Sequence, residues 1–142
     1  MDLMHEVRVL AFQKIYSIDI NQSAMDDIFD IFTIEDKGLD IENESIKSFY
    51  SSLVNGTFNN LEYIDSLIRD ISWNWSLDRM DKVDLAILRM GVYSLKFQNF
   101  ENSKRALIDE AILIAKKYGS KNSDKFINGI LDALLEKYGE LY

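Results

Sequence analysis

No proline interrupts this chain of 142 residues, and it holds only six glycines. Proline lacks the N–H that a helix interior needs, and glycine loses the most backbone freedom when ordered there. A chain so poor in both is free to be helical along most of its length. Apolar residues recur at the matching spacing: Val83, Ala86, Ile87, Met90 and Tyr93 fall on one side of a helix over about 79–97. Asp78 stands where a side-chain oxygen would cap that helix. No stretch alternates apolar and polar residues as a half-buried strand would.

The same periodicity divides the rest of the chain. Leu3, Val7, Leu10, Ala11 and Ile18 share one side of a first helix, roughly residues 3–18. Ser23 suits the cap of a short second helix carrying Met25, Ile28, Phe29 and Phe32, which Lys37-Gly38 breaks. A third helix begins near Asn43, with Ile46, Phe49, Tyr50, Leu53 and Val54 on one side. Asn55-Gly56 has the local chemistry of a turn, after which Phe58, Leu61, Ile64, Leu67, Ile68 and Ile71 follow as a fourth helix. Ser103 opens the next, with Leu107, Ala111, Ile114 and Tyr118 in one stripe, and Gly119 suits a left-handed stop. Asn122 or Ser123 caps a last helix that buries Ile127, Ile130, Leu131, Leu134 and Tyr138. The expectation is an all-α single domain of six or seven helices over residues 1–142. Trp73 and Trp75 are expected to pack inside it.

Composition removes most chemistry. Without cysteine there is no disulfide, thiolate nucleophile or cysteine-held zinc. His5 is the only histidine, and neither a glycine-rich phosphate loop nor a calcium-type carboxylate loop occurs. Acid pairs such as Asp26-Asp27 and Asp109-Glu110 would point about 100° apart on a helix. The expectation is no catalytic residue, no metal, no cofactor and no enzyme. No run approaches the roughly 20 apolar residues of a membrane span, and no signal peptide is evident at Met1–Glu6. A cytoplasmic protein without a membrane partner is expected.

The net charge of −8 argues at first against nucleic acid. Yet residues 19–72 hold twelve acids against Lys37, Lys47 and Arg69, while residues 103–142 hold seven bases against six acids. The acidity sits in one part of the chain and leaves room for a neutral or basic face elsewhere. Two sets of residues fit such a face. His5, Arg8, Val9, Phe12 and Tyr16 lie within about 100° of the first helix. A cation and two rings on one face suit single-stranded RNA, although Phe12 and Tyr16 suit a core equally. Lys116, Lys117, Lys121 and Lys125 surround a helix end and a helix start, with Ser120, Asn122, Ser123 and Phe126 between and after them. Free N–H groups at a helix start attract phosphate, although a solvated cap would look the same.

Two blocks carry a resemblance. Asn74-Trp75-Ser76-Leu77-Asp78-Arg79-Met80-Asp81-Lys82-Val83-Asp84-Leu85-Ala86-Ile87-Leu88-Arg89-Met90-Gly91-Val92-Tyr93 is followed, in order and at the right distance, by Ala115-Lys116-Lys117-Tyr118-Gly119-Ser120-Lys121-Asn122-Ser123-Asp124-Lys125-Phe126-Ile127-Asn128-Gly129-Ile130-Leu131-Asp132. Together they resemble the signatures of the NusB family of bacterial transcription antitermination factors.

The resemblance implies two small packed helical bundles, about 1–72 and about 73–142. It implies binding of boxA RNA in ribosomal RNA precursors, jointly with the ribosomal protein NusE, and indirect attachment to the RNA polymerase elongation complex. By the same resemblance Tyr16 borders the RNA site, and Lys117, Lys121, Asn122, Ser123, Lys125 and Phe126 lie in an RNA-contacting segment. Asp84 stands where the family turns an acid toward NusE, and the acidic part of the chain would steer so basic a partner. Two departures stand out. His5 and Glu6 occupy places where family members often have arginine, and Asn122 replaces a common acid. Two other roles fit the same fold: a module that binds NusE with weakened or lost RNA recognition, and the RNA-binding domain of a ribosomal RNA methyltransferase. The second would need a catalytic domain that 142 residues leave no room for. A homodimer formed through the NusE-facing surface remains open.

Overall fold

A computed structural model of the chain describes residues 3–21, 43–72, 75–98 and 103–139. Among the described residues are six α-helices and no strand: α1 (Leu3–Ile20), α2 (Glu44–Asn59), α3 (Leu61–Ile71), α4 (Lys82–Phe97), α5 (Lys104–Tyr118) and α6 (Ser123–Tyr138), with a short 3-10 turn at Leu77–Arg79. None of these helices is long and apolar enough to cross a membrane. The helix expected at Met25–Phe32, its Ser23 cap, its Lys37-Gly38 break and Trp73 lie outside the described residues.

α4 is the axis of the fold and touches each of the other five helices. Every residue from Asp84 to Leu95 is therefore buried, not only the stripe that periodicity marks. A helix enclosed on all sides needs no polar face. α1 is enclosed in the same way, packed against both α2 and α4. It buries Val7, Ala11, Ile15 and Ile18, and also Arg8, Val9 and Phe12.

Helix starts follow side-chain chemistry. Asn43 accepts from the N–H groups of Ser45 and Ile46 at 2.9 and 3.2 Å. Ser103 accepts from Ala106 N–H at 3.1 Å. The expected Asp78 cap is displaced: Asp81 caps α4, accepting from Val83 and Asp84 N–H at 2.8 and 3.2 Å. Both acids have the right chemistry, and burial chooses between them. Leu77 and Met80 are buried, so the chain winds through the 3-10 turn before α4 begins.

The turn expected at Asn55-Gly56 is absent, since both residues lie inside α2. The helix breaks instead at Asn60, whose amide side chain donates to Gly56 O at 2.8 Å. Gly56 serves packing. A Cβ there would stand 2.2 Å from the Tyr93 ring, whose hydroxyl shares a 2.9 Å hydrogen bond with Ser52.

Two polar ties cross between helices. Arg89 donates through Nε and Nη2 to both oxygens of the buried Asp65 at 2.9 Å, and Nη1 lies 3.4 Å from Asp19. This joins α4, α3 and α1, with both donors of the guanidinium fork matched. Near the surface, Lys137 donates to Asp70 at 2.7 Å and the Tyr138 hydroxyl donates to the same oxygen, fastening α6 to α3.

Candidate nucleic-acid interface

α5 ends at Tyr118 and α6 starts at Ser123, so the chain reverses within four residues. Gly119 makes this possible, though not as a left-handed stop. Its φ of −86° and ψ of −175° are extended. What excludes a side chain is space, since a Cβ would stand 2.5 Å from Ser123 Cβ and 2.8 Å from Ala115 O. Gly119 N–H donates to Ala115 O, and Ser120 N–H donates to Ser123 Oγ, both at 2.9 Å. Ser123 N–H returns to Ser120 O at 3.1 Å. Asn122 holds the capping position of α6 with no side-chain cap bond.

This rigid turn presents its polar groups outward. Lys116, Lys117, Ser120, Lys121, Asn122 and Lys125 are exposed, whereas Ser123 is buried as part of the turn's frame. Lys117 Nζ lies 5.4 Å from the Tyr118 ring centre, a cation held over an aromatic face. Phe126 is half-buried, packed on the core, with its ring 6.4 Å from that of Trp75 at 67°. Cations, an uncovered helix start and an edge ring therefore meet on one surface, an arrangement suited to a single strand.

The first-helix face differs from expectation. Arg8 is 4% exposed, and its guanidinium carbon stands 5.2 Å from the Phe49 ring centre. Phe12 is 3% exposed and packs on Tyr118, ring centres 5.5 Å apart at 51°. His5 Nδ1 donates to Glu110 Oε2 at 2.6 Å and ties α1 to α5. Tyr16 is half-buried against the core. The arc is real, but neighbouring helices cover its centre at Arg8, Val9 and Phe12, so Arg8 and Phe12 support the fold and offer RNA no surface, while His5 and Tyr16 stay partly exposed. Through Phe12 and Tyr118, α1 packs against the end of α5.

Asp84 also differs. Expected at a partner-facing surface, it is 7% exposed, and one carboxylate oxygen has no hydrogen-bond partner among the described residues. Burial pushes its carboxyl above the usual range, opposed by a hydrogen bond from Ser123 and reinforced by nearby Asp81. A second correction concerns Trp75, which is 55% exposed and not interior. The Trp75–Phe126 pair leaves no spacing signal, because it joins residues about fifty positions apart.

The model of the NusB family matches residues 5–136. A transcription antitermination protein NusB from Borrelia garinii subsp. bavariensis is 98% identical over 133 residues, 94% of each chain. The solved structure of T. maritima NusB superposes with a TM-score of 0.80 at 31% identity, covering 94% of this chain and 91% of that one. A crystal structure described as antitermination factors NusB and NusE in complex with double-stranded RNA superposes with a TM-score of 0.78 at 25% identity, covering 97% of this chain and all of that one.

Proposed function

The chain belongs to the NusB family of transcription antitermination proteins, and from that premise we propose that it works by binding alone, holding boxA-type RNA at the α5–α6 junction in company with NusE. The observation that carries this reading is the junction itself, a turn fixed by Gly119 and Ser123 that leaves Lys117, Lys121, Asn122 and Lys125 in solvent beside Phe126. Phosphate contacts from the lysines position the strand, and the ring stacks on a base. NusE adds its own RNA surface, so each partner raises the other's affinity. The assembled complex then joins the elongating polymerase in the cytoplasm. Nothing in this mechanism makes or breaks a covalent bond.

The buried Arg8 and Phe12 favour one competing reading, a NusE-binding module with little RNA affinity of its own. A titration of fluorescent boxA RNA, with and without NusE at two salt concentrations, separates the two. Weak binding alone that tightens with NusE and is lost in Lys121→Glu supports the RNA reading. Unchanged affinity in Lys121→Glu would remove it and leave the protein-only role.

A further inference from the structure

A cleft of about 250 Å³ opens beside Phe126, between the end of α3 and one face of α6. Trp75 and Phe126 wall it, and Ile71, Ser72, Gly129, Ile130 and Ala133 line the remainder. Over Gly129 it is open, since a Cβ there would meet nothing within 4 Å. Trp75 is anchored at its backbone, where its N–H donates to Ser72 O at 2.7 Å. Its indole nonetheless stays largely in solvent, although such a ring buries roughly 150–250 Å² when it packs. Drug-sized ligands fill roughly 300–1,000 Å³. This smaller volume suits one planar ring.

Resting on the RNA reading of the junction, we propose that this cleft holds one unstacked base of the same strand, stacked on Trp75 with its edge toward Phe126. Three observations select a base as occupant. Among the described residues no charged side chain lines the cleft, so phosphate finds no partner there. Phe126 belongs to both cleft and junction, so a strand held by Lys121 and Lys125 reaches Trp75 without a gap. The Ser72 hydroxyl, which already donates to Ile68 O at 2.6 Å, offers a base edge only an acceptor, and every base carries an N–H that could meet it. The subsite therefore takes purines and pyrimidines alike and adds affinity with little sequence preference.

Trp73→Phe leaves Trp75 as the sole tryptophan of the chain. In that background, boxA RNA is expected to quench the Trp75 emission. Trp75→Ala is expected to weaken RNA binding roughly 5- to 150-fold, with Trp75→Phe retaining most of it. RNAs lacking one base at a time complete the test. One abasic position should reproduce the loss in the otherwise unaltered protein and add nothing in Trp75→Ala. RNA binding that needs Lys121 but is indifferent to Trp75 and to every abasic position would overturn the subsite and leave the junction reading standing. Quenching by NusE in the absence of RNA would also overturn it and give the cleft to a protein side chain. No RNA binding at all would overturn both readings.

Discussion

Arg8 and Phe12 on α1, and Lys121 and Phe126 around the start of α6, are each a cation and a ring four or five residues apart. On α1 the guanidinium rests on Phe49 and the ring on Tyr118. At the junction the ammonium is in solvent and the ring is half-buried beside an exposed indole. Helical spacing says which residues share a face. Whether a neighbouring helix covers that face depends on topology, and α1 is covered twice, by α2 and by α4. The pairing of cation and ring is therefore structural in one place and available to a ligand in the other.

The contrast is tested most severely at Phe12. Phe12→Ala removes a buried ring and should lower stability by about 3–5 kcal/mol, read as an earlier midpoint in urea. RNA affinity per folded molecule should change little. A variant that keeps its stability and loses RNA would reverse the assignment of the two regions.

Lys121→Gln with Lys125→Gln probes the other side. Both lysines are exposed, so stability should stay within about 0.5 kcal/mol. RNA binding should weaken uniformly across sequences. The salt dependence should flatten by about 1.4 in slope for two lost single-strand phosphate contacts. An unchanged slope would place the strand elsewhere.

Gly119→Ala attacks the turn that keeps the lysines presented. Its Cβ would fall 2.5 Å from Ser123, an overpacking that typically costs about 1–3 kcal/mol. Stability and RNA affinity should fall together, because the residues that close the turn also aim the lysines. RNA binding intact in a destabilised Gly119→Ala would show that the lysines act without the turn's geometry.

Much of this was legible before any coordinates. The helical stripes of Leu107–Tyr118 and Ile127–Tyr138 mark their elements correctly, as do the helix starts near Asn43 and Ser103. The lysines around Gly119 declare an exposed polar turn. What misled were residues whose local chemistry has two uses. Gly56 reads as a turn and is a seat for the Tyr93 ring. Asp78 reads as a cap, but burial of Leu77 and Met80 passes that role to Asp81. Trp75 reads as core and stands in solvent. Each outcome is decided by a partner distant in sequence, which periodicity does not report.

The smallest expected effect concerns Asp84, a buried acid in the first turn of α4. Burial raises its carboxyl above the unfolded value of about 3.9, so the folded state prefers the protonated form. Its favourable contribution is complete below the unfolded value and is lost as pH rises through the raised folded one. At neutral pH the buried charge is a burden, with one oxygen unpartnered among the described residues. Asp84→Asn, which resembles the protonated acid, should therefore stabilise the free protein at pH 7. The gain should shrink as pH falls and vanish near the unfolded value, as thermal midpoints across that range would show. A gain independent of pH would trace the effect to packing. If Asp84→Asn also weakens joint binding of NusE and RNA, the charge is retained for binding at a cost in stability. Unaltered binding would confine Asp84 to the stability of the fold.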